Sequence, residues 1–187
     1  MDLIDDPLFI PLLPQDTPQE SRVLLEQVKR ELGFVPNLLA SLAHSPTALR
    51  AYLGADAAFQ RGTLTPAEQQ IVLLSASAEN DCPYCMSAHS ALAKFFLNVP
   101  GDVIVAIRAN RPLLDSKLDA LVNLTRQLVS RRGYLRSQTI EAFLNAGYSK
   151  AQLLEVLVGV GLKTISNYFD HISATEVDPQ FSDGYQA

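Results

Sequence analysis

The chain has 187 residues, 48% of them hydrophobic, enough to enclose one sizeable core in a single domain. Fifteen lysines and arginines against 20 aspartates and glutamates leave a net charge of −5, which repels phosphate backbones and anionic lipid and argues against nucleic-acid and membrane partners. The acidic start Met1-Asp2-Leu3-Ile4-Asp5-Asp6-Pro7 lacks the basic and apolar run of a secretory signal, and charges interrupt every long apolar run, so a soluble, cytoplasmic protein is expected.

Residues 1–16, punctuated by Pro7, Pro11 and Pro14, read as an extended arm. Thr17-Pro18-Gln19-Glu20 then supplies a capping residue, a proline at the first helical position and an acidic first turn, predicting a helix to about Leu32 with Gly33 at its end. Val35-Pro36-Asn37 breaks the chain before a short apolar helix through Leu38, Leu39 and Leu42. Ser45-Pro46 starts a third helix, which Arg61-Gly62 ends. Thr65-Pro66-Ala67-Glu68 repeats the capping signal and opens the apolar run Ile71-Val72-Leu73-Leu74.

Asn80 or Asp81 is expected to cap a helix that carries Cys82, Cys85 and His89 and stops at Pro100-Gly101. Helical patterns follow at Asp102 to Ala109, Asp115 to Arg131 and Ser137 to Asn145. A long final helix begins near Ser149 and is apolar around much of its circumference, so burial or a subunit interface is expected for it. Residues 175–187 read as an irregular tail. No alternating strands remain, and the fold class is all-α, one domain over residues 1–187. Leu64-Thr65-Pro66-Ala67-Glu68 and Tyr148-Ser149-Lys150-Ala151-Gln152 are similar helix starts, which two related hairpins or chance would equally produce.

The chemistry gathers at the two cysteines. Three positions apart, they cannot staple distant parts of a secreted fold, and a close pair in a reducing compartment is more often catalytic or metal-binding. Helical positions i, i+3 and i+7 share a face, so Cys82, Cys85 and His89 form one site. An i, i+3 pair has Cα atoms ~5 Å apart, which a disulfide accepts, so the pair can cycle between dithiol and disulfide. The first turn of a helix stabilises a thiolate, which favours Cys82 as the more acidic thiol. His89 can take the Cys85 proton, and Glu79 or Glu68 could orient it.

Three other readings stand beside this one. An inert structural role suits a lone buried cysteine better than a pair with a histidine. Zinc held by both cysteines, His89 and Glu79 or His171 would need ligands from one helix to wrap the ion tetrahedrally, which they do poorly, and no metal or cofactor is expected. Cys82-Pro83-Tyr84-Cys85 matches the letters of glutaredoxin sites, but that fold needs a strand before the motif where a capped helix stands here.

The segment Glu79-Asn80-Asp81-Cys82-Pro83-Tyr84-Cys85-Met86-Ser87-Ala88-His89-Ser90, after a Thr-Pro-x-Glu helix start, resembles the carboxymuconolactone decarboxylase and alkylhydroperoxidase D superfamily. Phe34-Val35-Pro36-Asn37, His44-Ser45-Pro46 and Asn167-Tyr168-Phe169-Asp170-His171 resemble its longer, peroxidase-related members. The resemblance implies an alkylhydroperoxidase-D-like helical bundle, homo-oligomers and reduction of organic hydroperoxides or hydrogen peroxide, with a thiol or protein as reductant. It further implies attack by Cys85, resolution by Cys82 as a disulfide, and His89 in the proton relay. Base proximity agrees with Cys85, whereas the helix dipole favours Cys82. The chain departs from the pattern at Gln70, where a relay glutamate is expected, and at Pro83-Tyr84 between the cysteines. The resemblance leaves two alternatives: disulfide exchange with a protein partner, and a non-redox decarboxylase-like lyase.

Overall fold

A computed structural model describes residues 8–182 of the chain. Those residues form helices and one short 3-10 turn, with no strand among them. The first three helices, α1 (Gln19–Leu32), α2 (Asn37–Leu42) and α3 (Pro46–Gln60), make a front layer over their own small core of Leu25, Val28, Leu39, Leu42 and Leu49. Gly33 ends α1 in the left-handed conformation, φ 83°, as a glycine after the last apolar position suggests. Thr17 does not cap α1. Pro18 takes that position, and the Thr17 hydroxyl donates to Leu13 O at 2.9 Å instead, tying down the end of the arm. The first seven residues of that arm lie outside the described ones.

Helix α4 (Pro66–Glu79) is the centre, packing on α5 (Pro83–Phe96), α7 (Ser116–Ser130) and α9 (Lys150–Ser173). The expected capping box of Thr65 with Glu68 forms at the start of α4, and the similar start of α9 forms a second one, Ser149 with Gln152. The main core joins α4 to α6 (Gly101–Arg108), α7, α8 (Ser137–Asn145) and α9, with Phe143 stacked on Tyr148 at 4.5 Å between ring centres. Gly159 lets α9 come close: a Cβ there would lie 2.9 Å from Phe59 and from Val72.

Helix α9 is divided lengthwise. Val156, Gly159, Val160, Lys163, Ser166, Asn167 and Asp170 are buried, whereas Leu154, Leu157, Val158, Ile165, Tyr168 and Ile172 form an exposed apolar stripe. The tail is less irregular than its sequence suggests. Pro179–Phe181 make a 3-10 turn that returns to α5, with Phe181 buried; residues 183–187 lie outside the described ones. No described helix is long and apolar enough to cross a membrane.

Candidate active site

Cys82, rather than Asn80 or Asp81, is the N-cap of α5. The chain reaches it through Asp81 in the left-handed region, φ 51°, and the Cys82 sulfur accepts from Cys85 N–H at 3.3 Å. Both cysteines are free thiols and buried. They differ in what surrounds them. Cys82 Sγ lies 3.2 Å from Asp170 Oδ2, so its single proton is shared between that carboxylate and Cys85. Cys85 Sγ lies 3.9 Å from Ser166 Oγ and lines a cavity of about 360 Å³ that Cys82 does not line.

The cavity sits between the front layer and the core. Val28 and Leu32 of α1, Leu38 and Leu39 of α2, Leu53 of α3, Leu92 of α5 and Phe181 give it apolar walls. Its polar end carries Tyr52, Asp56, Gln70, Cys85, His89 and Lys163. The strap after α9 closes one side. Asp178 accepts from Asn37 N–H with both carboxylate oxygens, at 3.1 and 3.2 Å, and from Tyr84 Oη at 2.7 Å. Phe181 packs on Phe34 and Tyr84, at 5.5 and 6.3 Å between ring centres.

Electrostatics order the two thiols. Burial pushes the Cys85 thiol up, but the hydrogen bond from Cys82 and the charge of Lys163 outweigh it and bring the pKa down to about 6. Cys82 moves far above the ordinary thiol range: its proton is held toward Cys85, it is buried, and it faces the negative charges of Cys85 and Asp170. The helix dipole, which alone favours Cys82, is thus overridden by the proton held toward Cys85 and by burial, to which the Asp170 carboxylate, 88 positions away in the chain, adds. Burial raises the Asp170 carboxyl, against the hydrogen bond from Cys82. Burial, then the nearby Lys163 charge, hold His89 well below its usual range, so its ring is neutral.

Of the residues singled out in the sequence, Cys82, Cys85 and His89 come together. Gln70, at the position of the expected relay glutamate, faces His89, its Oε1 3.0 Å from Nδ1. Glu68 is not brought to the site. It completes the α4 capping box with Thr65, accepts from Tyr148 Oη at 3.0 Å and pairs with Lys117 at 3.0 Å. Glu79 ends α4 away from the cavity, where its charge acts on Arg126. Asn167 pins α9 to the end of α4 through Asn80 and Ser77, and His171 is exposed beside Tyr168.

Lys163 and Asp170 were not singled out by the sequence reading. The available signal was their register: both fall on the buried face of α9 with Val156, Gly159, Val160 and Ser166, where a charge needs a partner.

Comparison with known proteins agrees with this fold. Residues 43–110, which include the cysteine helix, match the carboxymuconolactone decarboxylase family. No curated protein matches in sequence. Among solved structures, a peroxidase-related protein with an alkylhydroperoxidase AhpD core from Ralstonia eutropha JMP134 aligns over 94% of both chains, with TM-score 0.83 and 22% identity. A peroxidase-related protein from Silicibacter sp. TM1040 aligns over 97% of both, with TM-score 0.79 and 19% identity. The debrominase Bmp8 also aligns over 97% of both, with TM-score 0.80 and 16% identity; a cysteine-to-alanine variant of it was solved with 2,3,4-tribromopyrrole. The chain thus shares the all-helical fold of these solved structures over nearly its whole length, and its segment 43–110, with the cysteine helix, is similar to the carboxymuconolactone decarboxylase family.

Proposed function

We propose that the protein is a dithiol peroxidase acting on compact, apolar organic hydroperoxides. The observation that carries the reading is the division of labour between the thiols: Cys85 faces an apolar cavity with its proton loosened, while Cys82 keeps its proton behind it. The Cys85 thiolate attacks the terminal peroxide oxygen, the O–O bond breaks, and Cys85 becomes a sulfenic acid as the alkoxide leaves. Cys82 then attacks the Cys85 sulfur, hydroxide leaves and takes the Cys82 proton to become water, and a disulfide remains. A thiol or protein reductant restores the pair.

Stopped-flow mixing of the reduced protein with cumene hydroperoxide tests this. Two thiols lost per peroxide consumed is the expected result; thiols that persist for many minutes would reject it. The likeness to a debrominase motivates a second oxidant in the same experiment, since a dithiol can also reduce a halogenated aromatic ring bound in such a cavity. Loss of thiols to a bromopyrrole and not to peroxide would transfer the reading to reductive dehalogenation.

We also propose a second copy of the chain as the occupant of the exposed α9 stripe. Leu154, Leu157, Val158, Ile165, Tyr168 and Ile172 share one face of the helix, with a gap of two turns between Val158 and Ile165, over most of its 24 residues. Sedimentation should give a dimer or larger, reduced to monomer by Leu157→Glu with Ile165→Glu. A wild-type monomer at micromolar concentration would refute this.

A further inference from the structure

Lys163 is 1% exposed, and its ammonium lies 3.0 Å from His89 Nε2 at the polar end of the cavity. An ammonium has donors only, so Nε2 must accept, which leaves the ring proton on Nδ1, where it is donated to Gln70 Oε1 at 3.0 Å. A ring held in this way has no lone pair free for the Cys85 proton. Protonating it would set two cations against each other, and the amide of Gln70 offers no charge to offset them. We infer that Lys163, and not His89, is the proton-carrying catalytic residue of this site, pairing with the Cys85 thiolate and protonating the oxygen that leaves.

His89 and Gln70 are then positioning residues that aim the ammonium. The balance closes without a further group. Cys85–S⁻ and RO–OH give Cys85–S–OH and RO⁻; RO⁻ takes a proton from Lys163–NH₃⁺ and leaves as ROH, with Lys163–NH₂ remaining. Cys82 supplies the second proton when it closes the disulfide and water departs, and solvent reprotonates Lys163. The other titratable groups facing this cluster are Tyr52 and Asp56 from α3, Cys82 and Tyr84 from the start of α5 and Asp170 from α9, with Glu31 of α1 beyond Asp56. Burial keeps Tyr52 protonated and raises the Asp56 carboxyl, which suits neither as a strong competitor for the thiolate.

The step from thiolate to alcohol rests on the peroxidase reading, but the pairing of Lys163 with Cys85 does not, and the two can be separated. The pH profile of Cys85 alkylation by iodoacetamide is measured by mass spectrometry on the reduced full-length protein, together with peroxide consumption. Lys163→Met should raise the alkylation midpoint by about 1–2 pH units, the effect of removing one nearby opposite charge. Lys163→Arg should keep the low midpoint yet consume peroxide at least ~10-fold more slowly, because a guanidinium does not release its proton near neutrality. His89→Asn should move the midpoint by less than about 0.5 unit. If Lys163→Met does not fold, as judged by its melting curve, Lys163→Gln repeats the measurement. A midpoint unchanged without Lys163 but raised by His89→Asn would overturn the inference and return the base to His89. A wild type inert to peroxide whose midpoint still follows Lys163 would reject the peroxidase step and uphold the ion pair.

Discussion

Cys85→Ser should lower peroxide-driven thiol loss at least ~1,000-fold, because a hydroxyl at neutral pH is a poor nucleophile and Cys82 has no thiolate to offer in its place. Cys82→Ser should behave differently. The serine hydroxyl can still cap α5 and still donate toward Cys85, so the first oxidation should persist within about tenfold. What fails is resolution: Cys85 stops at the sulfenic acid, one oxygen heavier, and is trapped by dimedone. The pair of variants therefore separates attack from resolution by product as well as rate. Sulfenic acid accumulating on Cys82 in the Cys85→Ser protein, at a rate near that of the wild type, would exchange the two roles.

Acidity gives the same assignment a pH signature. The reactive form is the thiolate, and Cys85 is the thiol lowered to about 6. Its reaction with peroxide is therefore full above that pH and falls tenfold for each unit below it. An attack by Cys82, whose pKa is raised, would instead keep rising through the alkaline range.

Four of the helices, α3, α4, α7 and α9, were legible because each carries its own local start signal. Ser45, Thr65, Asp115 and Ser149 all cap where the sequence points to them, and each bond spans two or three residues. Cys82, Cys85 and His89 were legible for the same reason, being neighbours on one helix. The rest of the site depends on contacts between distant segments. Asp170 and Lys163 meet Cys82 and His89 across more than 70 positions of chain, on a helix that Gly159 lets pack closely against α3 and α4, and neither residue has a motif of its own. Glu68 was drawn into the relay by its chemistry, but a carboxylate at the third position of a capped helix is already engaged with the backbone. The tail was least legible, since Asp178 and Phe181 carry no local pattern and are ordered by α2 and Tyr84.

That tail leads to a large effect on specificity. Phe181→Ala removes a buried ring from the wall of the cavity and should cost about 2–4 kcal/mol of stability, read as a fall in the urea midpoint. The same wall binds the body of the substrate. Cumene hydroperoxide fills apolar volume that hydrogen peroxide does not reach, so losing ~1.5 kcal/mol of contact should lower its kcat/KM about tenfold while leaving hydrogen peroxide nearly unchanged. Asp178→Ala should act on the same strap by a different route. It strands the Asn37 N–H and the Tyr84 hydroxyl, at a cost of about 2–3 kcal/mol, and releases Phe181 from its seat. Both variants should therefore lower the preference for the bulky hydroperoxide, with the Cys85 alkylation midpoint unmoved, because neither residue touches the cluster of Cys82, Lys163 and Asp170. A preference unchanged by Phe181→Ala, in a protein still folded, would mean that the substrate does not occupy this cavity.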